Sequence, residues 1–190
     1  MLSRFAAIVL MLAASVAHNG ATYPPQSIYQ LRAVLTNQSG TQHGLDVYAG
    51  QPVLVTMFYG SCPAACPLLI DTLRAVERAA PPAQRERLRV LMISIDPQHD
   101  TSRSLQELAR ARHLDVSRWT LARTDAATVR RIAAVLNLQY RQLPDGSFNH
   151  ASVITLLSPT GEILAQSAML AKVDNTLLEA GSKSHQLSDR

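Results

Sequence analysis

The stretch QPVLVTMFYGSCPAACPLLIDTLRAVERAA, residues 51–80, passes from a strand pattern to a helix pattern and carries the chain's two cysteines between them. Residues 51–60 form a β-branched, apolar run of strand length, the pattern of a strand buried on both faces. After the cysteines, Leu69, Leu73 and Val76 recur at helical spacing until Pro81-Pro82 stops the helix. Cys62 and Cys66 are separated by three residues, and each is followed by a proline. A residue before proline is pushed out of helical geometry, whereas proline itself is accepted in a first helical turn. The segment CPAACP therefore reads as a stiff loop or first turn, with the main helix running from about Pro67. Both thiols then lie at the C-terminal end of a strand and at the positive end of a helix, which favours the thiolate. Three intervening residues keep the α-carbons within disulfide reach, about 4.4–6.8 Å, and let both sulfurs meet one ion. Three uses compete: a structural disulfide, a redox-active dithiol, or two arms of a metal site. A disulfide closing so short a loop contributes about 2 kcal/mol or less. Dithiol redox motifs more often use two intervening residues. The third residue tilts the reading toward metal without settling it.

Outward from this stretch, strands and helices alternate. Upstream, residues 27–50 read as a hairpin, with a strand near 28–36, a turn rich in Gly, Asn and Ser, and a short return to Val47. Downstream, LRVLMISIDP (88–97) is a second buried strand and TSRSLQELARARH (101–113) a helix with Thr101 as N-cap. WTLAR (119–123) is a short strand, and TDAATVRRIAAVLNL (124–138) a helix capped by Thr124 or Asp125. Residues 151–167 form a hairpin turning at Pro159-Thr160-Gly161, and residues 172–181 a last helix closed by Gly181. This order predicts an α/β fold of the thioredoxin-like kind: a central mixed sheet flanked by helices, with an N-terminal β-hairpin extension.

The chain opens with Arg4, an apolar run from Phe5 to Ala14, and Ser15-Val16-Ala17. About ten apolar residues fit a secretory signal and fall short of the roughly 20 needed to span a membrane. The reading is export to the periplasm with cleavage after Ala17, an uncleaved anchor in the inner membrane being the lesser alternative. Cleavage leaves 173 residues at net charge +3. That length suits one domain burying roughly 70% of its unfolded surface. The expected division is a signal peptide (1–17), an extended leader (18–27), the domain (28–181) and a flexible tail (182–190). The charge is too small and scattered for a nucleic-acid binder, and Arg85, Arg87 and Arg89 read as a solvated loop and strand edge.

Three segments carry a family resemblance. FYGSCPAACP (58–67) resembles the copper-site signature of the Sco/SenC family, ISIDPQHDT (93–101) its second motif, and DGSFNHASVITLLSPTGEIL (145–164) its third, a histidine entering a strand that leads to a Pro-x-Gly turn. Gly60-Ser61 and Ala151 depart from the residues usual there, and most members are membrane-anchored. The resemblance implies a thioredoxin-like domain that binds copper and helps build the dinuclear copper centre of cytochrome c oxidase. It implies Cys62, Cys66 and His150 as the ligands of one copper per monomer. The chemistry agrees: thiolates suit Cu(I), imidazole suits Cu(II), and three ligands leave an open position for transfer. A structural zinc site would usually want a fourth protein ligand. The implied partners are the copper-centre subunit of the oxidase and another periplasmic copper carrier or thiol oxidoreductase, for a protein acting as a monomer.

The remaining histidines, His18, His43, His99, His113 and His185, read as exposed or structural. Asp96 and Asp100 read as turn and N-cap residues, with support of the metal site as their functional alternative. Tyr59 and Trp119 read as core. The leading function is a copper metallochaperone without turnover. The alternative is a thiol-disulfide oxidoreductase, with Cys62 and Cys66 as its redox pair, that keeps a partner's copper-binding cysteines reduced. Copper binding and disulfide formation exclude each other at the same sulfurs. A thiol peroxidase is a third, weaker reading, and it leaves His150 without a purpose.

Overall fold

A computed structural model describes residues 22–62 and 65–188, the side chains of residues 65, 66 and 185–188 excepted. The expected signal peptide (1–17) and residues 18–21 of the expected leader lie outside the described residues.

Among the described residues nine strands and five α-helices follow one another: β1 (Leu35–Asn37), β2 (Gln42–His43), β3 (Val53–Phe58), α1 (Ala65–Ala79), α2 (Pro82–Arg87), β4 (Arg89–Ser94), α3 (Ser102–Ala111), β5 (Trp119–Arg123), α4 (Ala126–Val135), β6 (Tyr140–Gln142), β7 (Phe148–His150), β8 (Ile154–Leu157), β9 (Ile163–Ser167) and α5 (Asn175–Ser188). Seven strands form one sheet in the order β2-β1-β5-β4-β3-β8-β9. Strands β3, β4 and β5 are parallel; β1 and β8 join them antiparallel. The result is the mixed sheet flanked by helices that the element order predicts, a thioredoxin-like fold.

Period-two alternation explains why β3 is buried throughout. Val53, Val55 and Met57 point to one face, where Val129, Ile132 and Ala133 of α4 pack on them. Leu54 and Phe58 point to the other, with Leu69, Leu73 and Val76 of α1 and Leu105 of α3. Trp119 is fully buried there, its indole N–H donating to Glu77 Oε2 at 3.3 Å. Thr101 caps α3, and Asp125 rather than Thr124 caps α4.

Four local readings need correction. Residues 28–30 form a single 3-10 turn, not the start of a strand. The Ser27 hydroxyl donates to the Thr160 carbonyl and the Ile28 N–H to the Gly161 carbonyl, so this segment is pinned onto the β8–β9 turn. Gly161 lies at φ +82°, and a Cβ there would meet the Tyr29 ring at 2.6 Å. Arg85 and Arg87 lie on α2 rather than in a loop, because Pro82 is well placed at a first helical position and restarts the chain. His150 does not enter the strand that leads to the Pro159–Gly161 turn. It ends β7, which pairs only with β6 in a separate two-stranded ribbon. Gly181 does not close the last helix. Helix α5 runs through it to Ser188, taking in most of the expected tail, because packing against Leu156 and Gln84 supports the helix there. Among the described residues no helix is long and apolar enough to cross a membrane.

Candidate metal centre

The rim at the C-terminal ends of β3 and β4 is built first by backbone hydrogen bonds. The Ile95 N–H donates to the Phe58 carbonyl at 2.7 Å, which carries the pairing of β3 and β4 past the strand ends. Tyr59 then turns into the core, 7% exposed. The Gly60 N–H donates to the Asp100 carboxylate, at 3.0 Å and 3.2 Å from its two oxygens. Ser94 Oγ donates to the same carboxylate at 2.5 Å and accepts the Asp96 N–H at 3.0 Å. Asp100 is therefore no helix cap; Thr101 takes that place, and Asp100 is a buried tether under the cysteine loop. Desolvation raises its pKa above the usual carboxylate value, opposed by the bonds from Ser94 and Gly60.

Cys62 follows one tight turn later, its N–H donating to the Tyr59 carbonyl at 3.2 Å. Its half-buried side chain touches the apolar clusters on both faces of the sheet. Cys66 is the second residue of α1, at the helix N-terminus as the sequence predicts; its side chain lies outside the described residues. Pro67 occupies the first turn.

His150 arrives from the other side. Its ribbon is seated by aromatic packing: Phe148 lies 5.4 Å from Tyr59 and 6.3 Å from Tyr140, ring centroid to centroid. The His150 ring stands edge-on to Tyr59 at 5.7 Å and 78°. Tyr59 thus brings His150 to the foot of the loop that carries Cys62 three residues on. His150 Nδ1 is buried and has no hydrogen-bond partner among the described residues. Burial lowers the imidazole pKa, opposed by a hydrogen bond with the Ala151 backbone, and so favours the neutral ring. An unmatched nitrogen in a half-buried ring is a candidate metal donor. Among the described residues no three such donors converge, and the Cys66 side chain is not one of them.

Of the other histidines, His43 lies in β2 with Nδ1 2.9 Å from the Gly44 carbonyl. His113 follows α3 at φ +49°, and His99 sits on the rim beside Asp96. His18 lies outside the described residues, and of His185 only the backbone, in α5, is described. Sequence reasoning offered support of the site as the alternative role of Asp100 but missed its partner Gly60, and it missed Tyr140 and Phe148 as the seat of His150. The signal for the first was a glycine before the cysteine loop and an aspartate in the next motif, with nothing to pair them.

The family model described as SCO1/SenC matches residues 24–180. The chain belongs to the SCO1/SenC family. Among solved structures, the fold of this Sco-family chain is similar to that of an Aquifex aeolicus VF5 protein, with TM-score 0.72 and 20% identity over 87% of this chain and 94% of that one. It is similar to Arabidopsis thaliana ScoI, solved with copper bound, with TM-score 0.69 and 18% identity over 82% and 96%. It is also similar to BsSco, described as a member of the Sco family of cytochrome c oxidase assembly proteins in which a disulfide switch was identified, with TM-score 0.66 and 20% identity over 80% and 90%. Among curated proteins none matches significantly.

Proposed function

We propose that this Sco-family chain is an exported copper metallochaperone. It holds one copper ion per monomer through Cys62, Cys66 and His150 and passes it to the copper-centre subunit of cytochrome c oxidase. The observation that carries this reading is the buried His150 Nδ1, unpartnered among the described residues, on a ring packed edge-on to the tyrosine that opens the cysteine loop. A dithiol alone has no use for that nitrogen; a copper carrier does, because imidazole adds the affinity for Cu(II) that two thiolates lack. Copper bound to Arabidopsis ScoI supports the same reading. Copper is the cargo. Each cysteine that ligates it gives up its proton to water, and no electrons move unless the ion changes oxidation state.

The disulfide switch described for BsSco favours a second role for the same sulfurs. In it, Cys62 and Cys66 together release two electrons and two protons to a partner's disulfide and become a disulfide themselves, which cannot ligate copper.

The test is to titrate the reduced protein with Cu(I) and with Cu(II). One equivalent is expected to bind, with a sulfur-to-copper charge-transfer band for Cu(II). Cys62→Ser or Cys66→Ser should abolish the band. His150→Ala should weaken Cu(II) more than Cu(I), since two thiolates still hold the softer ion. No loss of either ion in His150→Ala would remove the histidine from the site and leave the thiol reading in its place.

A further inference from the structure

His99 and Asp96 form a pair that the proposed site does not use. Asp96 follows β4 by two residues, and its side chain is only 7% exposed; that of His99 is 67% exposed. His99 Nδ1 stands 2.8 Å and 2.9 Å from the two oxygens of the Asp96 carboxylate. In the neutral ring this contact keeps the proton on Nδ1, because only a donor can face a carboxylate, and leaves the Nε2 lone pair directed away from it. Asp96 is itself fixed through its N–H to Ser94 Oγ. A buried carboxylate behind one ring nitrogen, with the other nitrogen open, is the arrangement that orients histidines which bind metals.

Its position gives this arrangement a use. The next residue, Asp100, accepts the Gly60 N–H at 3.0 Å, and Gly60 is two residues from Cys62. His99 is therefore one residue from the tether on its side of the rim, and Cys62 is two residues from it on the other. One exposed imidazole cannot hold copper firmly, and among the described residues no group of three donors surrounds it. A weak, exposed, pre-oriented ligand on the rim that the Gly60–Asp100 bond ties to the cysteine loop suits an ion in passage.

We propose that His99 Nε2 is a docking ligand for copper entering or leaving the cysteine loop, with Asp96 as its positioning residue. On entry, a bond between copper and a donor's ligand breaks as the bond to Nε2 forms. The Nε2 bond then breaks as bonds to sulfur form, and the thiol protons go to water. No electrons change hands. The inference rests on the copper reading above and deepens it.

The experiment presents Cu(I) as its coloured bicinchoninate complex to the reduced, oxygen-free protein. It follows both the rate at which colour is lost and the amount lost at equilibrium. His99→Gln, a change at an exposed side chain, is expected to slow transfer about tenfold while leaving the equilibrium where it was. Far-UV circular dichroism checks that the variant is folded. Transfer at the wild-type rate overturns the docking role, as does a loss of equilibrium affinity equal to the loss of rate, which would make His99 a resident ligand. If the wild-type protein withdraws no Cu(I) at all, the copper reading itself fails, an outcome distinct from either.

Discussion

Gly60 and Asp100 show how one position constrains another across the rim. A Cβ on Gly60 would meet Asp100 Oδ1 at 2.4 Å, so the N–H to carboxylate bond exists because the loop residue has no side chain. Burying the carboxylate raises its pKa, which has a consequence for stability. Below the ordinary aspartate value of 3.8 the group is protonated whether the chain is folded or not. As pH rises past 3.8, the unfolded chain ionises first and the folded one resists, so this residue's contribution falls until its folded pKa is passed. Asp115 and Asp174, whose pKa values are lowered by hydrogen bonds from Ser117 and Thr176, change in the opposite sense. The contribution of Asp100 is therefore read as a difference. Urea unfolding of wild type and Asp100→Asn between pH 3.5 and 7 should show stability declining with pH more steeply, or rising less, in the wild type. Parallel curves would mean that Asp100 ionises as freely in the fold as out of it. At this scale the place of Cys62 and Cys66, between the end of a buried strand and the start of a helix, was legible from the local pattern. The pairing of Gly60 with Asp100, forty residues apart, was not, because no local pattern links a glycine to a distant carboxylate.

Among the elements, β1 is too short to cover its neighbour. It pairs with β5 at Thr36 and Asn37 only. The next residue continues the edge with its side chain: Gln38 Nε2 donates to the Trp119 carbonyl at 3.1 Å, and the Leu121 N–H donates to Gln38 Oε1 at 2.9 Å. The amide acts as one more residue of strand, and Gln38 is buried. Gln38→Leu is expected to leave two buried backbone groups of β5 unpaired and to lower stability by about 2 kcal/mol or more. Amide hydrogen exchange at Leu121 should accelerate in step. Unchanged exchange there would show that water satisfies the edge. Long, regular elements such as β3, β4 and α1 were legible because alternation and helical spacing repeat over several residues. Two- and three-residue strands carry no such repeat. The ribbon of β6 and β7 is seated by Phe148, which packs between Tyr140 and Tyr59, and α5 continues past Gly181 because it lies against the sheet and α2.

In the whole molecule, the proposed copper site would share a free energy with the fold. The cysteine loop joins β3 to α1, and the ribbon bearing His150 leads directly into β8, so an ion bridging them would link segments that flank the antiparallel pair β3 and β8. A ligand that binds only the folded state stabilises it by about 2.7 kcal/mol at a hundred times its dissociation constant. Cu(I) should therefore raise the unfolding temperature of reduced wild type and leave that of Cys62→Ser nearly unchanged. An equal rise in both would place the stabilising ion away from the loop. The sequence by itself determined the thioredoxin-like order of strands and helices, since burial on both faces, helical spacing and capping are written locally. It also determined the kinds of donor available, since thiol and imidazole chemistry belongs to the residue. Only the tertiary structure decided how the ribbon bearing His150 is seated, what holds the loop in place, and which aspartate orients His99. Those relations depend on distances between segments far apart in the chain, and packing and burial set them after the local patterns have been satisfied.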